Sequence, residues 1–184
     1  DALRLDKKDF TVITVAELIK RKNIYDIIAA IASLSDKIRL IIVGNGTLWK
    51  ELKDYVKNEG LPKKVLFLGR KTDIPELLYI SDLFVMTSLH EGLPKAMMEA
   101  MAMEKPIVAY NIRGVRDLVV DGKTGFLVPF GDVKSLAEKI LFFYEHPDIC
   151  KEMGKKGREK IEQEFSLNVI MEQMKNLYIE ILEA

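Results

Sequence analysis

Short apolar runs alternate with longer amphipathic stretches along almost the whole chain, and no other feature of the sequence limits the possible folds as strongly. Near-continuous apolar runs rich in β-branched residues are typical of strands that are buried on both faces of a parallel sheet. The runs occupy residues 10–16, 38–43, 65–68, 83–86, 107–109 and 125–129. The sequence therefore predicts about six parallel strands with helices on both faces of the sheet.

The segments between these runs carry apolar residues at helical spacing. Helices are predicted for residues 24–34, 49–60, 74–80, 94–102, 133–145 and 149–184, with Asp132 as an N-cap and a break near Ser166. Since strand–helix–strand crossovers are right-handed, the alternation predicts an α/β fold, a Rossmann-like doubly wound parallel sheet. Ligands bind such sheets beyond the carboxyl ends of the strands. The candidate turns are residues 16–22, 44–47, 69–73, 87–94, 111–115 and 129–132.

Composition excludes several classes of function. The 28 lysine and arginine residues equal the 28 aspartate and glutamate residues, so no global positive field favours nucleic acid. Cys150 is the only cysteine, so an intrachain disulfide is excluded, and this fits a reducing compartment. We interpret Cys150 as a packed residue. No apolar run approaches the roughly 18 residues of a transmembrane helix. With two histidines and no Asp-x-Asp motif, we expect no metal site.

The turn after the fourth predicted strand is the most informative one. It is polar, contains Gly92 and leads into a helix that begins near Pro94. Helix N-termini favour phosphate because they offer unpaired N–H groups and a partial positive charge. Glu91 and Glu99 lie on either side of this helix start, and carboxylates accept hydrogen bonds from sugar hydroxyls. Spacing alone leaves two interpretations open, a sugar site or two solvent-facing glutamates, while the methionines of the helix favour a buried face.

Residues 88–102 resemble the signature of the family-four, GT-B fold glycosyltransferases, in which seven residues separate two glutamates. Residues 41–46, 65–69, 78–85, 105–109 and 121–129 resemble further motifs of that family in the same order. The resemblance covers nearly the whole chain. It implies that residues 1–184 are the C-terminal, donor-binding domain of a retaining enzyme whose N-terminal acceptor domain is absent. The start of the chain, which has no initiator methionine or signal peptide, leads us to expect an excised domain.

The resemblance also implies roles for individual residues. Glu99 would bind the ribose hydroxyls of a nucleotide, and Glu91 the hydroxyls of the transferred sugar. Lys22 would be the cation beside the leaving diphosphate. The backbone N–H groups facing the diphosphate and the sugar would come from Gly92, Leu93 and Lys95.

Other implied contacts lie in neighbouring turns, and two positions depart from the family pattern. Arg70 would lie beside the base, although a solvated turn is an equal alternative, and Gly46 belongs to the turn after the second strand. Glu17 occupies the position of an arginine that pairs with the family's phosphate-binding lysine. A carboxylate there repels phosphate unless it turns away or a neighbouring cation compensates. Pro94 replaces a glycine of many members and removes one N–H donor.

The resemblance implies transfer of a hexosyl or hexosaminyl unit from a nucleoside diphosphate sugar of the UDP or GDP type, with retention and without a cofactor. The acceptor, a glycan or lipid-linked sugar of cell-envelope biosynthesis, would bind the absent domain, so we expect this chain alone to be inactive. We expect a cytoplasmic location, with peripheral membrane contact through that domain. The alternatives are a non-catalytic nucleotide-binding module and half of a sugar-nucleotide epimerase. A dehydrogenase is disfavoured because no G-x-G-x-x-G follows the first strand.

The terminal helix, residues 166–184, carries more apolar surface than a short tail needs. Two explanations are open, and packing on this domain is favoured over packing toward the absent domain. His90, beside Glu91, is interpreted as a hydrogen-bonding residue of the cleft. The apolar residues of the terminal helix are Met171, Met174, Leu177, Tyr178, Ile181 and Leu182.

Overall fold

The six apolar runs form the strands of one sheet in the computed structural model, which describes residues 6 and 8–183. The strands are β1 (Phe10–Val15), β2 (Ile38–Val43), β3 (Val65–Gly69), β4 (Leu83–Met86), β5 (Ile107–Tyr110) and β6 (Gly125–Val128). They lie in the order β3-β2-β1-β4-β5-β6, and every pairing is parallel. The predicted Rossmann-like, doubly wound sheet is confirmed.

Helices connect the strands much as the apolar spacing predicts. The carboxylate of Asp132 accepts a hydrogen bond from the N–H of Ser135 at 2.9 Å, which confirms the predicted N-cap. The predicted break near Ser166 separates the last two helices. The helices are α1 (Ile24–Ala32), α2 (Trp49–Asn58), α3 (Ile74–Tyr79), α4 (Lys95–Ala102), α5 (Val115–Leu118), α6 (Val133–Glu145), α7 (Pro147–Glu164) and α8 (Leu167–Glu183).

Two short helices are absent from the sequence-based prediction. A 3₁₀ helix covers Lys20–Lys22 after β1, and α5 covers Val115–Leu118 after β5. The sequence predicts a turn at the first, and at the second it predicts only the turn that ends at residue 115. Each is about one turn long, too short for apolar periodicity to distinguish it from a loop.

The core consists of two apolar layers, one on each face of the sheet. Leu40 and Ile42 of β2 point to the layer that α1, α2 and α6 cover, while Ile41 points to the other layer. This alternation follows from the period of two in a strand. Met97 and Met101 of α4 are fully buried in the second layer, which confirms the interpretation of these methionines as core residues.

Cys150 lies in the core at the start of α7, as the sequence predicts for a packed cysteine. Its burial raises the pKa of the thiol to about 12, and the nearby Asp82 acts in the same direction. A thiol with so high a pKa is a poor nucleophile at neutral pH. Cys150 is therefore a structural residue.

The expectation that the terminal helix packs on this domain is wrong. None of the described side chains of α8 is buried, and Leu177 and Leu182 are 56% and 84% exposed. Its apolar spacing indicates a face that needs cover, but the sheet and its helices do not provide that cover. Across residues 8–183, no helix combines the length and the apolar character that a membrane span requires.

Candidate functional site

The order in which the strands are added reverses between β1 and β4, a point called the reversal of the sheet below. The chain runs outward from β1 to β3 on one side and from β4 to β6 on the other. In doubly wound sheets the crevice beyond the carboxyl ends of the strands at this reversal holds the ligand. The 3₁₀ helix Lys20–Lys22 follows β1 and residues 87–94 follow β4, so both lie at this crevice. Topology therefore selects two of the six candidate turns.

An ion pair joins these two turns. The ammonium of Lys22 donates to the carboxylate Oε1 of Glu91 at 2.5 Å, and the two side chains are only 14% and 9% exposed. The sequence predicts each residue as a site residue but does not predict their contact. A pair so poorly hydrated stays favourable only while both partners are present, because a lone charge in this position has no solvent to stabilise it. The pair therefore places a cation directly beside a carboxylate that can accept hydrogen bonds from hydroxyl groups.

Glu99 lies one turn inside α4 and is less enclosed than Glu91. Its carboxylate is 3.4 Å from the ammonium of Lys95, a pair of the i,i+4 type, and its side chain is 39% exposed. Pro94 is the N-cap of α4 and not its first residue, while Gly92 and Leu93 before it are exposed. The start of α4 and the Glu99 carboxylate are consequently accessible to a ligand in the crevice.

Gly114 holds the turn that carries Glu91 and was not singled out by sequence reasoning. Its φ is +82°, and a Cβ built on it would lie 1.9 Å from the carbonyl oxygen of Gly92 and 2.6 Å from that of Glu91. Only glycine permits both this φ and this close approach. The one available signal was its position in a turn after a strand, and that signal does not reveal what the glycine contacts.

Gly46 has a similar packing role on the other side of the crevice. A Cβ at this position would lie 2.4 Å from the carbonyl oxygen of Leu18. The turn after β2 therefore packs directly on the turn after β1. This contact explains the glycine without a ligand.

A cleft of about 470 Å³ lies at the carboxyl ends of β1, β2 and β3. Glu17 lines it together with Arg70 and Lys71, and all three are exposed. Within residues 8–183, neither Lys20 nor Arg21 forms an ion pair with Glu17. The cleft thus presents two cations and one carboxylate to any ligand that enters it.

His90 is exposed and makes no side-chain hydrogen bond within the described part of the chain. Nor do the described residues include a group of three or more His, Cys, Asp or Glu side chains that could hold a metal ion. The polar groups at the reversal of the sheet are therefore the Lys22–Glu91 pair and the start of α4, while the cleft residues lie beyond the ends of β1, β2 and β3.

Comparison with known proteins places this arrangement in a family. The family model described as glycosyl transferases group 1 matches residues 1–160. "Putative glycosyltransferase EpsD" of Bacillus subtilis (strain 168) is 35% identical over 173 residues, which cover 92% of this chain and 45% of that protein. N-acetyl-alpha-D-glucosaminyl L-malate synthase of Bacillus anthracis is 27% identical over 180 residues, covering 97% of this chain and 47% of that protein.

A solved structure shows the same fold. The crystal structure of HepE from Anabaena in complex with UDP superposes with a TM-score of 0.90 and 28% identity, covering 94% of this chain and 49% of that one. The chain spans about half the length of the curated relatives it matches. Because the family model extends over most of the chain and includes both turns of the crevice, this chain belongs to the group 1 glycosyl transferases.

Proposed function

We propose that this chain is the donor-binding half of a retaining glycosyltransferase that uses a nucleoside diphosphate sugar of the UDP or GDP type. The observation that carries the proposal is the enclosed Lys22–Glu91 pair at the reversal of the sheet, beside the start of α4. UDP in the complex of HepE supports a nucleotide as the ligand. The reaction needs no further cofactor in this proposal, because the donor already carries an activated leaving group.

In this scheme Lys22 changes its partner when the donor binds. The diphosphate competes for the ammonium of Lys22, which frees the carboxylate of Glu91 to accept hydrogen bonds from the sugar. As the bond to the sugar breaks, negative charge grows on the diphosphate, and the ammonium stabilises it. The N–H groups around Gly92 and at the start of α4 add partial positive charge in the same place.

Glu99→Ala is expected to weaken UDP binding about ten- to a hundredfold, because hydrogen bonds from the ribose to a carboxylate contribute about 1.5–3 kcal/mol. Calorimetry on this chain measures the change. Glu138→Ala is the matched control, since Glu138 forms an i,i+4 pair with Lys134 on α6 as Glu99 does with Lys95 on α4. If Glu99→Ala and the unmodified chain bind UDP with equal affinity, Glu99 does not bind the ribose.

Glu17→Arg is expected to strengthen UDP binding about tenfold. The carboxylate of Glu17 lines the cleft next to the proposed diphosphate position and would repel the diphosphate by about 1 kcal/mol, whereas an arginine would attract it. Glu17→Gln removes the repulsion alone and should give a smaller gain. If Glu17→Arg binds UDP no better than the unmodified chain, Glu17 does not face the diphosphate.

We also propose that a second, N-terminal half binds the acceptor, a glycan or lipid-linked sugar, and that α8 docks on it. The support is that relatives are about twice as long and that α8 leaves a row of apolar residues exposed. Amide hydrogen exchange in α8 should slow at least tenfold when this chain is joined to its other half. Equal exchange in both forms would exclude the docking of α8. Sugar transfer by this chain alone would contradict the proposal that a second half binds the acceptor.

A second candidate function is a non-catalytic nucleotide-binding module, and one observation favours it. Glu17 lines the cleft, and it occupies the position where the resemblance to the family implies an arginine. The full-length protein distinguishes the two candidates: the enzyme transfers sugar from a bound donor, whereas the module binds the donor and transfers nothing.

The unpaired Cys150 fits a reducing compartment, and we place the enzyme in the cytoplasm as part of this proposal.

A further inference from the structure

Three consecutive backbone carbonyls around Lys22 accept hydrogen bonds from the turn after β4. The N–H of Leu89 donates to the carbonyl of Arg21 at 2.9 Å. The hydroxyl of Thr87 lies 3.2 Å from the carbonyl oxygen of Lys22 and 2.9 Å from that of Asn23, and donates toward both. Thr87 is 1% exposed, so no solvent competes for these contacts. The backbone on both sides of Lys22 is therefore fixed to the turn that carries Glu91.

The residue after Lys22 has an unusual backbone conformation that needs support. Asn23 has a φ of 50°, in the left-handed region that asparagine tolerates better than most residues. Its side-chain amide donates to Asp26 at 2.6 Å, and the hydroxyl of Tyr110 donates to the same carboxylate oxygen at 2.5 Å. Burial, followed by the contact with Asp26, raises the pKa of the Tyr110 phenol, so it remains a donor at neutral pH. The sharp bend after Lys22 is thus held from β5 as well as from β4.

We propose that Thr87 is a positioning residue that fixes the backbone of Lys22 and so holds its ammonium where the donor diphosphate binds. The proposal rests on the proposed donor site. Thr87 acts through Lys22, because its hydroxyl contacts only the carbonyls of the bend. A pre-placed cation loses less conformational freedom when the diphosphate binds, which is the advantage of a rigid site. The effect of Thr87 on ligand affinity must therefore depend on the phosphates of the ligand and on the presence of Lys22.

Thr87→Val keeps the shape of the side chain and removes its hydroxyl. We expect UDP to bind five- to tenfold more weakly to this variant, while uridine, which lacks phosphate, binds as before. Thr87→Ser retains the hydroxyl and should restore the affinity for UDP. In a Lys22→Ala background, Thr87→Val should change UDP affinity by less than twofold, because the two residues act on one interaction. Titrations of this chain by NMR measure all these affinities.

Thr11→Val is the matched control, since Thr11 is a buried threonine at the other end of β1. It replaces a buried hydroxyl by a methyl group, as Thr87→Val does, and should leave UDP affinity unchanged. Unchanged UDP affinity in Thr87→Val would overturn the proposal, as would an equal loss for uridine or an equal loss in the Lys22→Ala background. Each of these results would assign Thr87 a merely structural role or none.

A second readout needs no nucleotide. If the Thr87 hydroxyl fixes the bend, Thr87→Val should accelerate hydrogen exchange of the Leu89 amide, which is bonded to the carbonyl of Arg21, by about tenfold. An unmodified chain that binds no UDP would contradict the proposed function. The exchange of Leu89 would then still decide the positioning role, since unchanged exchange in Thr87→Val would overturn it.

Discussion

A Lys22→Ala variant is expected to bind UDP about a hundredfold more weakly than the unmodified chain. The substitution removes a charge-assisted contact with the diphosphate, which contributes about 1.5–3 kcal/mol. It also leaves the carboxylate of Glu91, only 9% exposed, without its cation beside the phosphates. Their repulsion adds about 1 kcal/mol or more at close range. Calorimetry with UDP measures the sum of the two effects.

Lys20→Ala is the matched control, because Lys20 lies in the same 3₁₀ helix, is exposed and forms no ion pair within residues 8–183. It should bind UDP within about twofold of the unmodified chain. Adding Glu91→Gln to Lys22→Ala removes the unpaired carboxylate and should recover part of the stability, about 1–2 kcal/mol, that Lys22→Ala loses. Equal losses of affinity in Lys20→Ala and Lys22→Ala would contradict a specific role for Lys22.

Gly114→Ala is expected to destabilise the fold by about 2–4 kcal/mol and to abolish measurable UDP binding. The added Cβ would lie 1.9 Å from the carbonyl oxygen of Gly92, so the turn that carries Glu91 must move. Overpacking of this kind costs about 1–3 kcal/mol, and the left-handed φ of +82° adds roughly 1 kcal/mol for alanine. Urea unfolding gives the stability, and calorimetry gives the binding.

The chain contains a control that separates the clash from the backbone strain. Gly122 has a φ of +70°, and a Cβ built on it meets no atom within 4 Å. Gly122→Ala should therefore cost only about 1 kcal/mol and leave UDP binding intact. If Gly114→Ala and Gly122→Ala lose the same stability and both bind UDP, the close approach of Gly114 to the Glu91 turn does not matter.

The strands and most helices follow from local sequence patterns. A strand such as Ile38–Val43 has apolar residues on both faces and must therefore be covered on both sides. Strands of this kind are typical of a parallel sheet between two layers of helices. Asp132 could be assigned as an N-cap because its role needs only the next three residues. These features depend on neighbours along the chain, which is why the sequence predicts them.

The contacts of the site depend instead on distant residues. Lys22 and Glu91 are 69 positions apart, and they meet only because β1 and β4 are adjacent in the sheet. Spacing within the chain does not contain that adjacency. The importance of Gly114 likewise becomes visible only when the carbonyl oxygen of Gly92 is placed opposite it.

The terminal helix shows the limit of apolar patterning. The spacing of apolar residues in α8 indicates a face that should be covered, but it carries no information about the covering surface. Packing on this domain was the simpler expectation, and the exposure of Leu182 contradicts it.

The crevice at the reversal of the sheet is expected to bind a nucleoside diphosphate sugar. Titration of the isotope-labelled chain with UDP and a UDP-sugar, followed by backbone amide NMR, tests this binding most directly. We predict saturable shifts at Lys22, in residues 89–99 and beside Arg70, with little change in α7 and at the amino ends of the strands. The absence of saturable shifts with UDP, GDP and ADP, or shifts confined to the amino ends of the strands, would contradict nucleotide binding at this crevice.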